Sequence, residues 1–122
     1  MELNTAPIDA TLANGTTVTI EEPDVASDDA LRAFVMRLSP TSRHMRFFAT
    51  LSADQELREF RRENAGDNVA LIARSGDGRI LAHALLAPID QTRAEVAFAV
   101  ADEAQGLGIG TLLLGRLAEI AT

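Results

Sequence analysis

Two stretches near the C-terminus carry residue types that do chemistry. In residues 93–101, alternation puts Val96, Phe98 and Val100 on one face and Glu95, Ala97, Ala99 and Ala101 on the other. The first reads as a core face. The second is nearly bare, so a bound group can lie close along the backbone, with the Glu95 carboxylate at the end of its groove. A helix packed on the alanines, with Glu95 a solvated charge at the strand edge, accounts for the same pattern. The run Gln105-Gly106-Leu107-Gly108-Ile109-Gly110-Thr111 then leads into LLLGRLAEI. Glycines lack a Cβ and let backbone N–H groups turn toward a ligand. The first N–H groups of a helix have no partner inside it and sit at its positive end. Together they make a cradle for a pyrophosphate. A glycine-rich turn serving only tight strand–helix packing is the plainer account. The dinucleotide fingerprint G-x-G-x-x-G is not met, because Leu113 stands where the third glycine belongs. A nicotinamide cofactor is a poor fit.

Such a cradle needs a strand and a helix to hold it. Residues 1–15 are polar and read as a tail or a short strand; residues 16–122 read as one domain. TTVTIEE alternates β-branched residues as a strand does, and Pro23 closes it. Ser27, Asp28 and Asp29 cap a helix, ALRAFVMRL, with Leu31, Phe34, Val35 and Leu38 on one face. Ser39-Pro40 stops it. TSRHMRFFATL reads as a helical turn and a loop. Ser52 and Gln55 form a capping box for ADQELREFRREN, and Gly66 suits its C′ position. NVALIARS and RILAHALLAP are strands joined by Gly76-Asp77-Gly78, and Asp90-Gln91 turns the chain into TRAEVAFAVA. The order β-α-α-β-β-β-α predicts an α/β fold with three consecutive hairpin-linked strands.

Composition excludes several classes. There is no cysteine, hence no disulfide framework and no thiolate nucleophile or metal site, which suits a cytoplasmic setting. All eleven basic residues are arginine, so a Walker-type loop with its lysine is absent. The formal charge of −7 disfavours nucleic acid and favours a cationic partner. No apolar stretch approaches the roughly 18 residues of a membrane span. Two distant histidines, His44 and His83, make a weak case for a metal, and none is expected.

The segment AEVAFAVADEAQGLGIGTLLLGRL resembles the acetyl-coenzyme A motif of the GNAT N-acetyltransferases, Gln/Arg-x-x-Gly-x-Gly/Ala. Gln105, Gly108 and Gly110 fill its fixed positions, and Gly106 is the usual extra glycine. LRAFVMRLSPTSRHMRFF further resembles the first-helix region of bacterial Pat-type protein lysine acetyltransferases, which modify acyl-CoA synthetases. The resemblance covers about residues 16–121. It implies a mixed, mainly antiparallel sheet with flanking helices and acetyl-CoA as cosubstrate. It also implies that residues 105–111 hold the pyrophosphate and that backbone groups around Val96, Phe98 and Val100 pair with the pantetheine arm. Protein lysine amines would be the acceptors and Glu95 the general base. His44 and His83 are rival bases; His83, between Leu81 and Leu85, reads better as a buried structural histidine.

The family pattern continues past this helix with further strands and often a tyrosine, and this chain has no tyrosine. The expectation is therefore the N-terminal part of a transferase domain, ending in the coenzyme-binding helix, with the C-terminal strands missing and activity of its own left open. A strand 93–101 with an unpaired edge and a last helix apolar on nearly all sides predict self-association. A non-catalytic acyl-CoA-binding or dimerisation module is the alternative.

Overall fold

The computed structural model describes residues 6–39 and 68–121. Five strands form one sheet in the order β1-β2-β3-β4-β5, every neighbouring pair antiparallel. They are β1 (Ile8–Thr11), β2 (Thr17–Glu21), β3 (Val69–Ser75), β4 (Ile80–Pro88) and β5 (Ala94–Val100). Helix α1 (Asp28–Arg37) follows β2, and helix α2 (Ile109–Ala121) follows β5. The mixed α/β architecture with a mainly antiparallel sheet is thus the one expected. Of the alternatives for the first fifteen residues, a short strand is present. The helix expected after Ser52, the loop around His44, and Arg43, Arg46, Arg61 and Arg62 lie outside the described residues.

Local chemistry fixes each hairpin. Between β1 and β2, Gly15 takes a φ of +87° and Asn14 Oδ1 accepts from the Thr16 N–H at 3.0 Å. Between β3 and β4, Gly78 takes a φ of +90°. There the Asp77 carboxylate accepts from Ser75 Oγ, from the Arg79 N–H at 3.1 Å and from Arg79 Nε at 2.8 Å. Between β4 and β5, Asp90 accepts from the N–H groups of Thr92 and Arg93, both at 2.9 Å. Ser27 departs from expectation. It occupies the N-cap position of α1 without a cap bond, because the turn Val25–Ser27 already precedes the helix. Its Oγ accepts instead from the Asp24 N–H at 3.1 Å and from Arg74 Nη2 at 3.2 Å, which ties this turn to β3.

The two helices cover opposite faces of the sheet. Leu31, Phe34, Val35 and Leu38 of α1 are buried in one cluster with Ile72, Ile80, Ala99 and Ala101. On the other face Ile109, Leu113, Leu117 and Ile120 of α2 are buried with Val18, Ile20, Leu71 and Ala84. Strands β3 and β4 lie between these clusters and are buried on both sides for most of their length. Each fully buried Leu, Ile or Phe contributes roughly 1.5–3 kcal/mol. The aliphatic stripes therefore outweigh the exposed polar contacts of the turns.

Strand β5 meets the expected assignment of its faces only in part, since Phe98 and Val100 pack on the α2 cluster while Ala99 and Ala101 are buried in the α1 cluster. Val96 is exposed and Phe98 and Val100 are only half-buried, whereas Ala99 and Ala101 are buried. The small side chains sit where the α1 cluster crowds the sheet, so the alanine face is covered at this end and open only near Glu95 and Ala97.

The Ser75 hydroxyl and the Arg79 N–H hold the Asp77 carboxyl down from 3.8 to about 2. A carboxyl depressed in the folded state stabilises it above the unfolded pKa and loses that contribution as pH falls through the folded value. Thermal midpoints of wild type and Asp77→Asn should therefore differ above pH 3.8 and converge as the pH approaches 2. A gap that stays constant across that window would contradict this account of the turn.

Candidate active site

Leaving β5, the chain is pinned before it reaches the glycines. The Ala101 N–H donates to the Leu81 carbonyl at 2.8 Å, and a single turn, Asp102–Ala104, buries Ala104. Gln105 Nε2 donates back to the Val100 carbonyl at 3.3 Å. Gly106 and Gly108 then take φ values of +79° and +85°, which side chains other than glycine rarely adopt. Between them the Leu107 carbonyl accepts from the Ala13 N–H of the β1–β2 turn at 3.1 Å. Ile109 is buried, and the Leu112 N–H donates to the Gly108 carbonyl at 3.1 Å, the first bond of α2. The N–H groups of Gly108, Ile109, Gly110 and Thr111 thus precede the internal ladder of the helix, at its positive end.

Packing does not explain these glycines. A Cβ built at Gly106, Gly108 or Gly110 would meet nothing within 4 Å among the described residues. Gly110 also has an ordinary helical φ, so neither crowding nor backbone strain requires glycine there. What remains is an open, Cβ-free approach to the first turn of α2. That is the geometry an anionic group needs to reach the backbone amides.

Glu95 lies at the other end of β5, exposed, opposite Ala87 of β4. The five-residue step from Glu95 to Val100 spans about 17 Å of strand. Val96, Phe98 and Val100 alternate on the α2 side of the sheet, opposite Leu86, Ala84 and Ala82. No described strand pairs with the outer edge of β5. Glycine loop, strand edge and carboxylate therefore lie in sequence along one margin of the molecule. His83 is fully buried on β4 between Ile72 and Ala99, away from solvent and from that margin. His44 lies outside the described residues.

A cavity of about 380 Å³ opens at the Glu95 end of the sheet, lined by Val69, Leu86, Leu117, Ile120 and the β4–β5 turn. It contains none of the site residues expected from sequence. No group of three or more His, Asp or Glu side chains suited to a metal occurs among the described residues. No described helix is long and apolar enough to cross a membrane. Sequence reasoning missed the turn Asp102–Ala104 and the Ala13–Leu107 bond. The first is too short to show periodicity, and the second joins residues far apart in the chain.

A glycine loop running from the last strand of the described sheet into a helix, with helices on both faces, is an arrangement that suits acyl-coenzyme A transferases. The sequence model of the Acetyltransferase (GNAT) family matches residues 32–122, and the chain belongs to that family. GNAT enzymes use acetyl-CoA as cosubstrate. No curated protein sequence matches significantly. Among solved structures, the GNAT domain of S. lividans PAT is similar at 30% identity with a TM-score of 0.79, over 94% of this chain and 71% of that one. A variant of the cAMP-binding acyltransferase from Mycobacterium smegmatis is also 30% identical, with a TM-score of 0.55, over 93% of this chain and 34% of that one. For yncA from Salmonella typhimurium, solved with its cofactor acetyl-CoA, identity is 19% and the TM-score 0.62, over 85% of this chain and 62% of that one; the likeness is one of fold. The chain thus spans about two thirds of the GNAT domains it matches.

If Gly110 is glycine for a ligand's sake, Gly110→Ala should separate stability from binding. The variant should gain about 0.5–1 kcal/mol in thermal or urea unfolding, as alanine favours helix over glycine. Its affinity for acetyl-CoA in calorimetric titration should fall. Gly108→Ala should instead lose about 1–2 kcal/mol through its left-handed φ. Undiminished coenzyme affinity in Gly110→Ala would remove the ligand explanation.

Proposed function

We propose that this chain binds acetyl-CoA and serves acetyl transfer to lysine amines of proteins. The observation that carries the proposal is the open first turn of α2, reached through three glycines that no neighbour crowds. The N–H groups of residues 108–111 would receive the pyrophosphate. The pantetheine arm would then run along the outer edge of β5, which no described strand pairs, where backbone groups near Val96, Phe98 and Val100 would offer it hydrogen bonds. This brings the thioester toward Glu95, across a span comparable to the extended arm.

Glu95 is assigned the base. A lysine amine carries its proton up to a pKa of about 10.4 and attacks only once it is lost. The carboxylate takes that proton directly or through water. The neutral nitrogen then attacks the thioester carbonyl; the C–N bond forms, the C–S bond breaks, and the second proton of the nitrogen passes through solvent to the departing coenzyme A thiolate. Exposure of Glu95 supports this role, since an acceptor can reach it. The burial of His83 argues against the histidine as base. The net charge of −7 suits a lysine-bearing surface. The resemblance of residues 31–48 to Pat-type lysine acetyltransferases makes a lysine of an acyl-CoA synthetase the acceptor to test first.

A non-catalytic acyl-CoA-binding or dimerisation module is the second reading. The outer edge of β5, which no described strand pairs, together with exposed Val96 and Leu114, favours it. Pairing of that edge with a second copy would complete the margin along which the coenzyme lies.

Titration of acetyl-CoA into the chain, with desulfo-coenzyme A as comparison, tests both readings, and saturable one-site binding is expected. Glu95→Gln should then lower acetyl transfer at least a hundredfold while leaving coenzyme affinity nearly unchanged. Saturable binding without turnover in the wild type would leave the module reading. A Glu95→Gln variant with full turnover would exclude the assigned base.

A further inference from the structure

We infer that Glu103, held by Arg37 and Arg79, is a positioning residue that sets the direction of the glycine-loop amides; the inference rests on the acetyl-CoA reading above. Two positive-φ glycines give the loop wide conformational freedom, so its shape has to be imposed by its surroundings. Downstream, buried Ile109 and the Ala13–Leu107 bond hold it. Upstream, the turn Asp102–Ala104 is gripped through Glu103. Its Oε1 lies 3.4 Å from Nε of Arg37, the last residue of α1, and 4.0 Å from Nη1 of Arg79 in the β3–β4 turn.

Both arginines are anchored in turn. Arg37 Nη2 donates to the Ile80 carbonyl at the start of β4. Arg79 Nε pairs with Asp77 at 2.8 Å. Asp77, Arg79, Glu103 and Arg37 thus alternate in sign across three segments that converge just before the loop. A lone ion pair on a side chain 44% exposed, as Glu103 is, would add little stability. The value of this arrangement lies in geometry, because it fixes a turn that ends two residues before Gly106.

The sign of one substitution separates positioning from simple electrostatics. Glu103 stands three residue steps before Gly106, at most about 11 Å of chain, close to one Debye length in physiological salt. Acting only through space, the Glu103 carboxylate repels an anionic ligand on the loop, and removing its charge should tighten binding. Acting as a positioner, its loss should weaken binding.

Acetyl-CoA would be titrated into wild type, Glu103→Gln, Glu103→Asp and Arg37→Gln, with thermal melts alongside. Positioning predicts that Glu103→Gln and Arg37→Gln both bind about three- to fivefold more weakly. Glu103→Asp, which keeps the charge and folds if Glu103→Gln does not, should recover part of the loss. Unchanged or tighter binding by Glu103→Gln, beside a wild type that binds, would overturn the positioning role and leave the coenzyme reading standing. Absence of saturable binding in the wild type would overturn both.

Discussion

Helix α2 docks on the sheet through a single stripe, Ile109, Leu113, Leu117 and Ile120, and the candidate site depends on the direction this gives its first turn. The stripe is apolar and packs on β-branched and small residues, so it fixes the rotation of the helix about its own axis. Partial positive charge equivalent to roughly half an elementary charge accumulates at the N-terminus of a helix. Its usefulness depends on aim. Ile109 lies in the first turn and is buried, which holds the amides beside it at a set angle to the end of β5. Aliphatic burial on one side of the turn thereby prepares a polar surface on the other.

The remaining supports are polar and lie where the chain changes direction. Gln105 returns to the end of β5, Leu107 is bound by the first hairpin, and Glu103 is bound by α1 and the β3–β4 turn. Each contact is individually weak. They act at separate points on a short segment, so no single glycine torsion can relax without disturbing another. The loop can then be glycine-rich and still hold a defined shape.

Much of this could be read along the chain. The turn residues Gly76-Asp77-Gly78 and Asp90-Gln91 marked both hairpins, and Leu31, Phe34, Val35 and Leu38 marked the face of α1 that the structure buries. The glycine loop announced itself because three glycines in alternate positions have few structural uses. The faces of β5 were harder to read. Periodicity assigns residues to faces but not the depth at which each face is covered, so it could not show that Val96 is exposed while Ala99, on the opposite face, is buried. Ser27 looked like a helix cap because composition cannot show that a turn already precedes it. The role of Glu103 was invisible, since Arg37, Arg79 and Glu103 meet only in the folded chain.

The Ala13–Leu107 hydrogen bond has a bearing on how such domains are recognised. The family match begins at residue 32, already inside α1, and leaves out β1 and β2, two of the five strands. Yet the first hairpin reaches the centre of the glycine loop, and Arg116 of α2 donates to the Ala6 carbonyl at 3.0 Å. The part of the sequence with the faintest family signature braces the part with the strongest. That brace passes through a main-chain N–H, which any residue but proline supplies, while Leu12, Val18 and Ile20 of the same hairpin are held to their identity by burial in the core.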